Sequence, residues 1–133
     1  MPDELDHEPL LETDHLTELT AVVMRVLDDW GVAAKDQTVL LGLPAGTRGR
    51  TLERFRQGMP LPEDRATLQR LSHLLTIERA VRTAFPHNAA MARFWVTTPH
   101  PLLGDLTPLD VMLMQGLEGM EQIVGFLTCT DTW

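Results

Sequence analysis

The sequence has one cysteine, one lysine and no long apolar run, and each scarcity excludes a class of protein. Because Cys129 stands alone, no internal disulfide can form, and a single thiol is typical of the reducing cytoplasm, where we expect the protein. No stretch approaches the roughly 18 consecutive apolar residues that a membrane-spanning helix needs. The acidic first residues lack the basic start and apolar run of a secretory signal.

Positive charge is also scarce, and it is unevenly distributed. The chain carries 11 Lys and Arg residues against 19 Asp and Glu residues, so its formal net charge is -8. This balance excludes a uniformly basic nucleic-acid-binding coat. Residues 1–14 carry -6, whereas residues 31–60 carry +3. The basic segment owes its charge mainly to four closely spaced arginines, Arg48, Arg50, Arg54 and Arg56.

Length and composition predict a globular protein with one domain or two small helical subdomains. The 133 residues are 44% apolar and 23% charged. A chain of this size buries about two thirds of its unfolded surface, so it needs neither a disulfide nor a metal for stability. Apolar residues recur at helical spacings, and no useful β-alternation occurs. We predict an all-α fold, in which a long central helix joins an N-terminal helix-turn-helix-like bundle to a small helical C-terminal domain.

Glycine, proline and capping residues predict where the helices end. Gly31 and Gly42 are expected to stop the first two helices, and Thr107 to cap a helix that starts at Pro108. The predicted helices cover residues 16–30, 34–41, 50–57, 62–85, about 88–94, 108–114 and 117–127. The predicted organisation is a flexible acidic arm over 1–14, a helix-turn-helix domain over 15–60, and a long helix with the C-terminal domain over 61–133.

The central helix is predicted to begin at Pro62, because the first turn of a helix does not need the N–H that proline lacks. One side of this helix is apolar, and we expect that side to be buried within the protomer or against a second copy. It is formed by Leu68, Leu71, Leu75 and Val81.

The layout of residues 20–58 is typical of a helix-turn-helix, in which the last helix enters the major groove of DNA. Arginine in such a helix pairs with guanine or clamps phosphates. The candidate DNA-binding residues are Thr47, Arg48, Arg50, Thr51 and Arg54. The same arginines also fit a solvated helix face that binds nothing.

Two parts of the sequence resemble the Xre/MbcA/ParS antitoxin family. The C-terminal part, residues 74–127, carries the motifs Ala84-Phe85-Pro86, Phe94-Trp95, Thr98-Pro99-His100-Pro101-Leu102-Leu103-Gly104, Thr107-Pro108-Leu109-Asp110, Gly116, Gly119 and Val124. The N-terminal half resembles the Xre-like helix-turn-helix of the same family through Trp30-Gly31, Gln37, Leu40-Leu41-Gly42, Thr51 and the segment 54–58.

This resemblance implies an antitoxin of a type II toxin–antitoxin pair. Its toxin would be a RES-domain enzyme that consumes NAD, and the C-terminal toxin-binding domain would cover the active-site cleft of that enzyme. The resemblance further implies a homodimer that can bind its own operator DNA together with the toxin.

The C-terminal segment carries -4 and many apolar residues, which we expect to include exposed side chains that dock on a partner. The candidate toxin-binding residues are Trp95, His100, Leu102, Leu103, Met112, Met120, Phe126 and Trp133. Met114 and Ile123 are expected to be exposed with them. Methionine at helical spacing belongs to a core more often than to an interface, and Trp133 either anchors a partner or packs on its own domain.

The sequence shows no pattern typical of an enzyme. Its five histidines include no close pair, and Cys129 has no neighbouring histidine, so metal-ligand spacing is absent unless folding brings distant residues together. No glycine-rich nucleotide loop and no G-x-S-x-G motif occurs. We expect no catalytic residue, no metal and no cofactor. The alternative to an antitoxin is a helix-turn-helix transcription regulator whose C-terminal domain only dimerises or senses a partner.

Overall fold

The computed structural model describes residues 13–88 and 90–129, and these residues form six α-helices and one short 3₁₀ helix. They are α1 (Thr13–Asp29), α2 (Ala34–Leu40), α3 (Gly49–Arg56), α4 (Arg65–Ala84), α5 (Met91–Val96), the 3₁₀ helix (Pro101–Leu103) and α6 (Pro108–Cys129). Their only β-type pairing is one isolated bridge, between His100 and Leu106. The all-α prediction is confirmed. The predicted acidic arm lies outside the described residues, except for its last two, which begin α1.

Helix α1 ends where the sequence predicts, at a glycine in the left-handed conformation. Gly31 has a φ of 77°, and the Val32 amide donates to the carbonyl of Leu27 over 3.1 Å. This bond closes a helix end that glycine adopts without a Cβ penalty. A Cβ at Gly31 would also lie 2.7 Å from the guanidinium of Arg93 on α5. The turn after α1 therefore brings the N-terminal helices against the C-terminal part.

Helix α4 begins three residues later than predicted, at Arg65 and not at Pro62. The Leu61 amide donates to the hydroxyl of Thr20 on α1 over 3.1 Å, and Leu61 itself is buried. This attachment holds the chain to α1 before the helix starts. The Asp64 side chain then accepts from the Thr67 amide at 2.8 Å, which is the N-cap that starts α4.

The buried face of α4 is rotated from the predicted one. Leu71 and Val81 are buried as expected, but Leu74 and Ile77 complete that face. Leu68 and Leu75 lie at its edge and are only half-buried. The difference arises because α1, α5 and α6 all pack on α4 and enclose the Leu71 side of the helix.

A buried carboxylate also connects α1 to α4. Glu78 is 8% exposed, and its Oε1 accepts from the indole Nε1 of Trp30 at 2.9 Å. Its other oxygen accepts from Arg82, whose guanidinium also lies 4.0 Å from Asp29. The charge of Glu78 is therefore compensated, as a buried carboxylate requires.

Helix α6 contains a sharp kink that the sequence predicts as a break between two helices. Thr107 caps its start, since the Asp110 amide donates to the Thr107 hydroxyl over 2.9 Å. Gly116 has a φ of 60° and a ψ of -133°, a conformation open essentially to glycine alone. The kink folds the two halves together so tightly that a Cβ at Gly119 would lie 2.4 Å from the carbonyl oxygen of Val111.

The rotated face of α4 yields a paired prediction. Leu71→Ala removes a fully enclosed side chain, so it should lower the free energy of unfolding by about 2–5 kcal/mol. Leu75→Ala should lower it by less than half as much, because Leu75 is half-buried. Guanidinium titration of dilute protein measures both. Equal losses would contradict the burial pattern.

The tight contact in α6 yields a second pair. Gly119→Ala should destabilise the protein by about 1–3 kcal/mol, because the new methyl group collides with the backbone of Val111. Gly125→Ala is the matched control in the same helix. No atom lies within 4 Å of a Cβ placed at Gly125, so alanine there should stabilise the protein by about 0.5–1 kcal/mol. Thermal unfolding would reveal the opposite signs.

Candidate functional site

Three of the predicted toxin-binding residues form one cluster of rings. The Trp95 ring lies 5.1 Å from that of His100 and 6.2 Å from that of Phe126, between centroids. The rings of His100 and Phe126 are 6.1 Å apart. Trp95 is 4% exposed, whereas the other two are half-buried. The cluster joins α5, the following loop and α6, so its first role is to hold these elements together.

The loop between α5 and α6 is closed by its own backbone. The His100 amide donates to the carbonyl of Leu106, and the His100 carbonyl accepts from the amides of Leu103 and Asp105 over 2.9 and 3.0 Å. Gly104 and Asp105 both have positive φ, which turns the chain sharply. Leu103 is consequently buried while Leu102 is 77% exposed at the loop tip. The loop presents one leucine outward from a fixed base.

The predicted exposure of the methionines is only partly correct. Met114 is 68% exposed, but Met112, Met120 and Ile123 are fully buried, so the expectation that these three are exposed was wrong. The kink at Gly116 explains this, because it folds α6 so that both halves contribute to the core. Whether any of the candidates contacts a toxin stays a prediction, and Trp133 lies outside the described residues.

Sequence analysis missed one exposed aromatic residue. Phe94, on α5, is 59% exposed, although its neighbour Trp95 is buried. The signal was present in the sequence. Successive residues on a helix point about 100° apart, so two adjacent aromatic residues on a short helix cannot both face the core. Phe94, Leu102 and Met114 are the most exposed large apolar residues among those described.

The arginine-rich helix α3 has one face in the core and one face in solvent. Leu52 and Phe55 are buried, whereas Arg50 and Arg54 on the other side are exposed. Arg48, just before the helix, is exposed as well. These three arginines form no ion pair with another described residue. Thr51 and Thr47 are half-buried, and the Thr47 hydroxyl donates to the Pro44 carbonyl over 2.7 Å.

Arg56 belongs to the framework that supports this helix. Its guanidinium donates to Asp28 on α1 over 2.9 Å, to Gln37 on α2 over 3.0 Å and to Glu53 on α3 over 3.2 Å. Gln37 in turn donates to Asp28 over 2.8 Å and to the Val32 carbonyl over 3.1 Å. The network fixes α3 relative to α1 and α2, and thereby orients the three exposed arginines.

The network also shifts the ionisation of its members. Burial by itself raises the pKa of Asp28, but hydrogen bonds from Arg56 and Gln37 and the charge of Arg56 outweigh it, so the pKa lies below its ordinary value. The hydrogen bond to Asp28 raises the pKa of Arg56 in return. Both groups are therefore charged at neutral pH.

The end of α2 is attached to α4 by Arg70. Its guanidinium donates to the carbonyls of Val39 and Leu40 over 3.4 and 3.3 Å, which satisfies groups that a helix end leaves unpaired. A Cβ at Gly42 would lie 2.7 Å from the same side chain, and Gly42 also has a positive φ. Only glycine allows this approach, so the helix-turn-helix is held directly against the central helix.

Two further classes of site were examined within residues 13–88 and 90–129. No group of three His, Cys, Asp or Glu side chains there is placed to hold a metal ion. In the same part of the chain, no helix combines the length and the apolar character needed to cross a membrane.

The end of α4, α5, the closed loop and most of α6 match a known family. Residues 80–126 match the family model of the antitoxin Xre/MbcA/ParS C-terminal toxin-binding domain. The resemblance predicted from the sequence is confirmed for these residues. This segment contains the ring cluster and the exposed Phe94, Leu102 and Met114, and it is similar to the part of antitoxins that binds a toxin.

A longer stretch of the chain is similar to an uncharacterized protein, y4oB, from Sinorhizobium fredii (strain NBRC 101917 / NGR234). The two are 36% identical over 89 residues, which cover 67% of this chain and 65% of the relative. The chain thus spans just under two thirds of the length of that curated relative. No solved structure matches the chain.

The Asp28 network predicts a pH dependence. Because the pKa of Asp28 is lowered by folding, its contribution is complete above the unfolded-state pKa of about 3.9 and disappears as the pH falls through the lower folded-state pKa. Asp28→Asn should therefore reduce stability at neutral pH, by no more than about 1 kcal/mol for this half-exposed pair, and flatten the loss below about pH 4. Glu18→Gln, on the same helix, should change neither. Identical acid unfolding curves for wild type and Asp28→Asn would contradict the assignment.

Proposed function

We propose that this protein is the antitoxin of a type II toxin–antitoxin pair, that it inhibits a NAD-consuming RES-domain toxin by occluding its active site, and that it acts as a homodimer. The observation that carries the proposal is the match of residues 80–126 to an antitoxin toxin-binding domain, in a segment with three strongly exposed apolar side chains. Monomeric soluble proteins rarely expose such residues without a use for them when they form a patch.

The closed loop is suited to occlusion rather than to chemistry. Its tip carries Leu102, while Leu103 and the Trp95 ring cluster fix its base. A side chain held in one orientation loses little entropy when it enters a cleft, so it is a good anchor for binding. Leu102 would fill apolar space at the mouth of the NAD site, and the loop backbone would block entry of the nucleotide. In this account Trp95, His100, Leu103 and Phe126 act by positioning the loop.

Operator binding is the second activity that we propose, through the exposed face of α3. Arg48, Arg50 and Arg54 have no competing ion pair among the described residues, so binding phosphate or guanine would break no existing contact. The net charge of -8 opposes this binding only weakly, because screening over about 10 Å at 0.1 M salt separates the basic segment from distant carboxylates. Two copies would double the contacts and favour a site with two-fold symmetry.

Toxin inhibition is tested by a matched pair of exposed apolar residues. Leu102→Asp should reduce affinity for the RES-domain protein encoded beside this chain by at least about tenfold, because it introduces a charge at the centre of the contact. Val39→Asp, which alters an exposed residue of α2, should leave inhibition unchanged. NAD consumption by the purified toxin, titrated with each variant, measures the effect.

The same assay separates the antitoxin from its alternative. Wild-type protein that leaves NAD consumption by the adjacent RES enzyme unchanged would favour a transcription regulator whose C-terminal domain only dimerises or senses a partner. If Leu102→Asp inhibits as well as wild type, the closed loop is not the anchor, and the contact lies elsewhere on the matched segment.

Operator binding is tested by two double variants. Replacing Arg50 and Arg54 with alanine should abolish the shift of the protein's own promoter DNA and leave toxin inhibition intact, because neither arginine lies in the matched segment. Replacing both with lysine should keep salt-dependent affinity for DNA but lose sequence preference, because lysine retains the charge without the bidentate geometry. No shift by wild-type protein at low salt, alone or with toxin, would mean that these arginines are a solvated face.

A further inference from the structure

The outer side of α4 carries a stripe of residues that no described part of the chain covers. Its members are three or four positions apart, which places them along one line of the helix surface. We call this the outer stripe, and it consists of Arg65, Leu68, Ser72, Leu75 and Arg79. Ser72 and the two arginines are exposed, whereas the two leucines are half-buried.

The outer stripe lies beside a shallow apolar groove between α1 and α4. Leu19 on α1 and Leu71 on α4 form part of its floor, and the leucines of the stripe line its sides. The depression has a volume of about 310 Å³. Two adjoining depressions extend it along α4, toward Glu63 in one direction and Arg82 in the other. An apolar seam therefore runs along the helix and is bounded by charged residues.

We infer that this seam is the interface between two copies of the chain, with the two α4 helices antiparallel about a two-fold axis at Ser72. The seam has the spacing of a helix-packing interface, in which apolar residues alternate at intervals of three and four. The inference rests on the proposed function only in that the function includes a homodimer; the surface and the orientation come from the residues of α4.

The order of residues along the outer stripe is symmetric about its centre. Reversing one helix about Ser72 places Leu68 against Leu75 of the second copy, and Leu75 against Leu68. The same operation places Ser72 against Ser72, where two small side chains allow the helices to approach closely. A two-fold interface requires this self-complementarity, because the same patch serves both partners.

Charge favours the antiparallel orientation over the parallel one. Glu63 and Asp64 stand at the beginning of the seam and outnumber Arg65, whereas Arg79 lies toward the end. Arg82 is already bound to Glu78, but Arg79 has no ion pair within the described residues. Antiparallel helices bring Arg79 near Glu63 of the second copy, and the pair forms twice. Parallel helices would set Arg79 against Arg79.

Cysteine cross-linking tests the position of the axis. In full-length protein whose Cys129 is replaced by serine, Ser72→Cys should form a covalent dimer with a short bis-maleimide. Ala66→Cys is the matched control, because Ala66 is exposed on α4 but lies about 120° away from the outer stripe. Equal cross-linking of the two variants, or none of Ser72→Cys, would overturn the proposed axis.

Charge reversal tests the orientation. Arg79→Glu and Glu63→Arg should each weaken dimerisation by at least about tenfold, because two-fold symmetry turns both attractive pairs into repulsive ones. The double variant carrying both changes should restore dimerisation, since each new arginine again faces a glutamate. Sedimentation equilibrium gives the dissociation constants, and circular dichroism checks that each variant is folded.

Other occupants of the seam give different results. Monomeric wild-type protein overturns the proposal, as does a dimer that none of the charge variants weakens. Dimerisation that appears only after deletion of residues 1–12 would mean that this segment covers the seam instead. Toxin inhibition is measured separately on the same variants, so a dimer without inhibition refutes the proposed function while leaving the interface intact.

Discussion

Burial of one face of α4 is the constraint on which the rest of the structure depends. Leu71, Leu74 and Ile77 are almost inaccessible because α1, α5 and α6 all pack on this helix. The resulting hydrophobic core is one cluster that extends from Leu16 to Leu127. The helix-turn-helix and the segment that matches a toxin-binding domain therefore share a core. A change in that core is expected to affect both of them.

The arginines divide into those that build this framework and those that it displays. Arg56 connects three helices, Arg70 caps α2, and Arg82 compensates the buried Glu78. The remaining group on α3, represented by Arg50 and Arg54, makes no such contact with described residues. Because a polar group that is already satisfied gains little from a new partner, the second group is the better candidate for binding a polyanion.

The C-terminal surface follows the same division between support and contact. Buried residues such as Trp95 and Leu103 hold the closed loop, while Leu102 projects from it. In the function that we propose, the fold holds this leucine in place, so little ordering would be needed on binding. Because the loop and α3 stand on one packed unit, the proposed contacts with toxin and with DNA would be made by different faces of the same rigid body.

The sequence by itself determined the helical class and several helix ends, including those at Gly31, Thr107 and Gly116, because capping and left-handed turns depend on groups only a few residues apart. The same local motifs led to the family resemblance. Only the tertiary structure decided that Met112 and Met120 are buried and that Arg56 is a framework residue. Helical spacing leaves these questions open, because burial and ion pairing depend on which distant helices pack against each face.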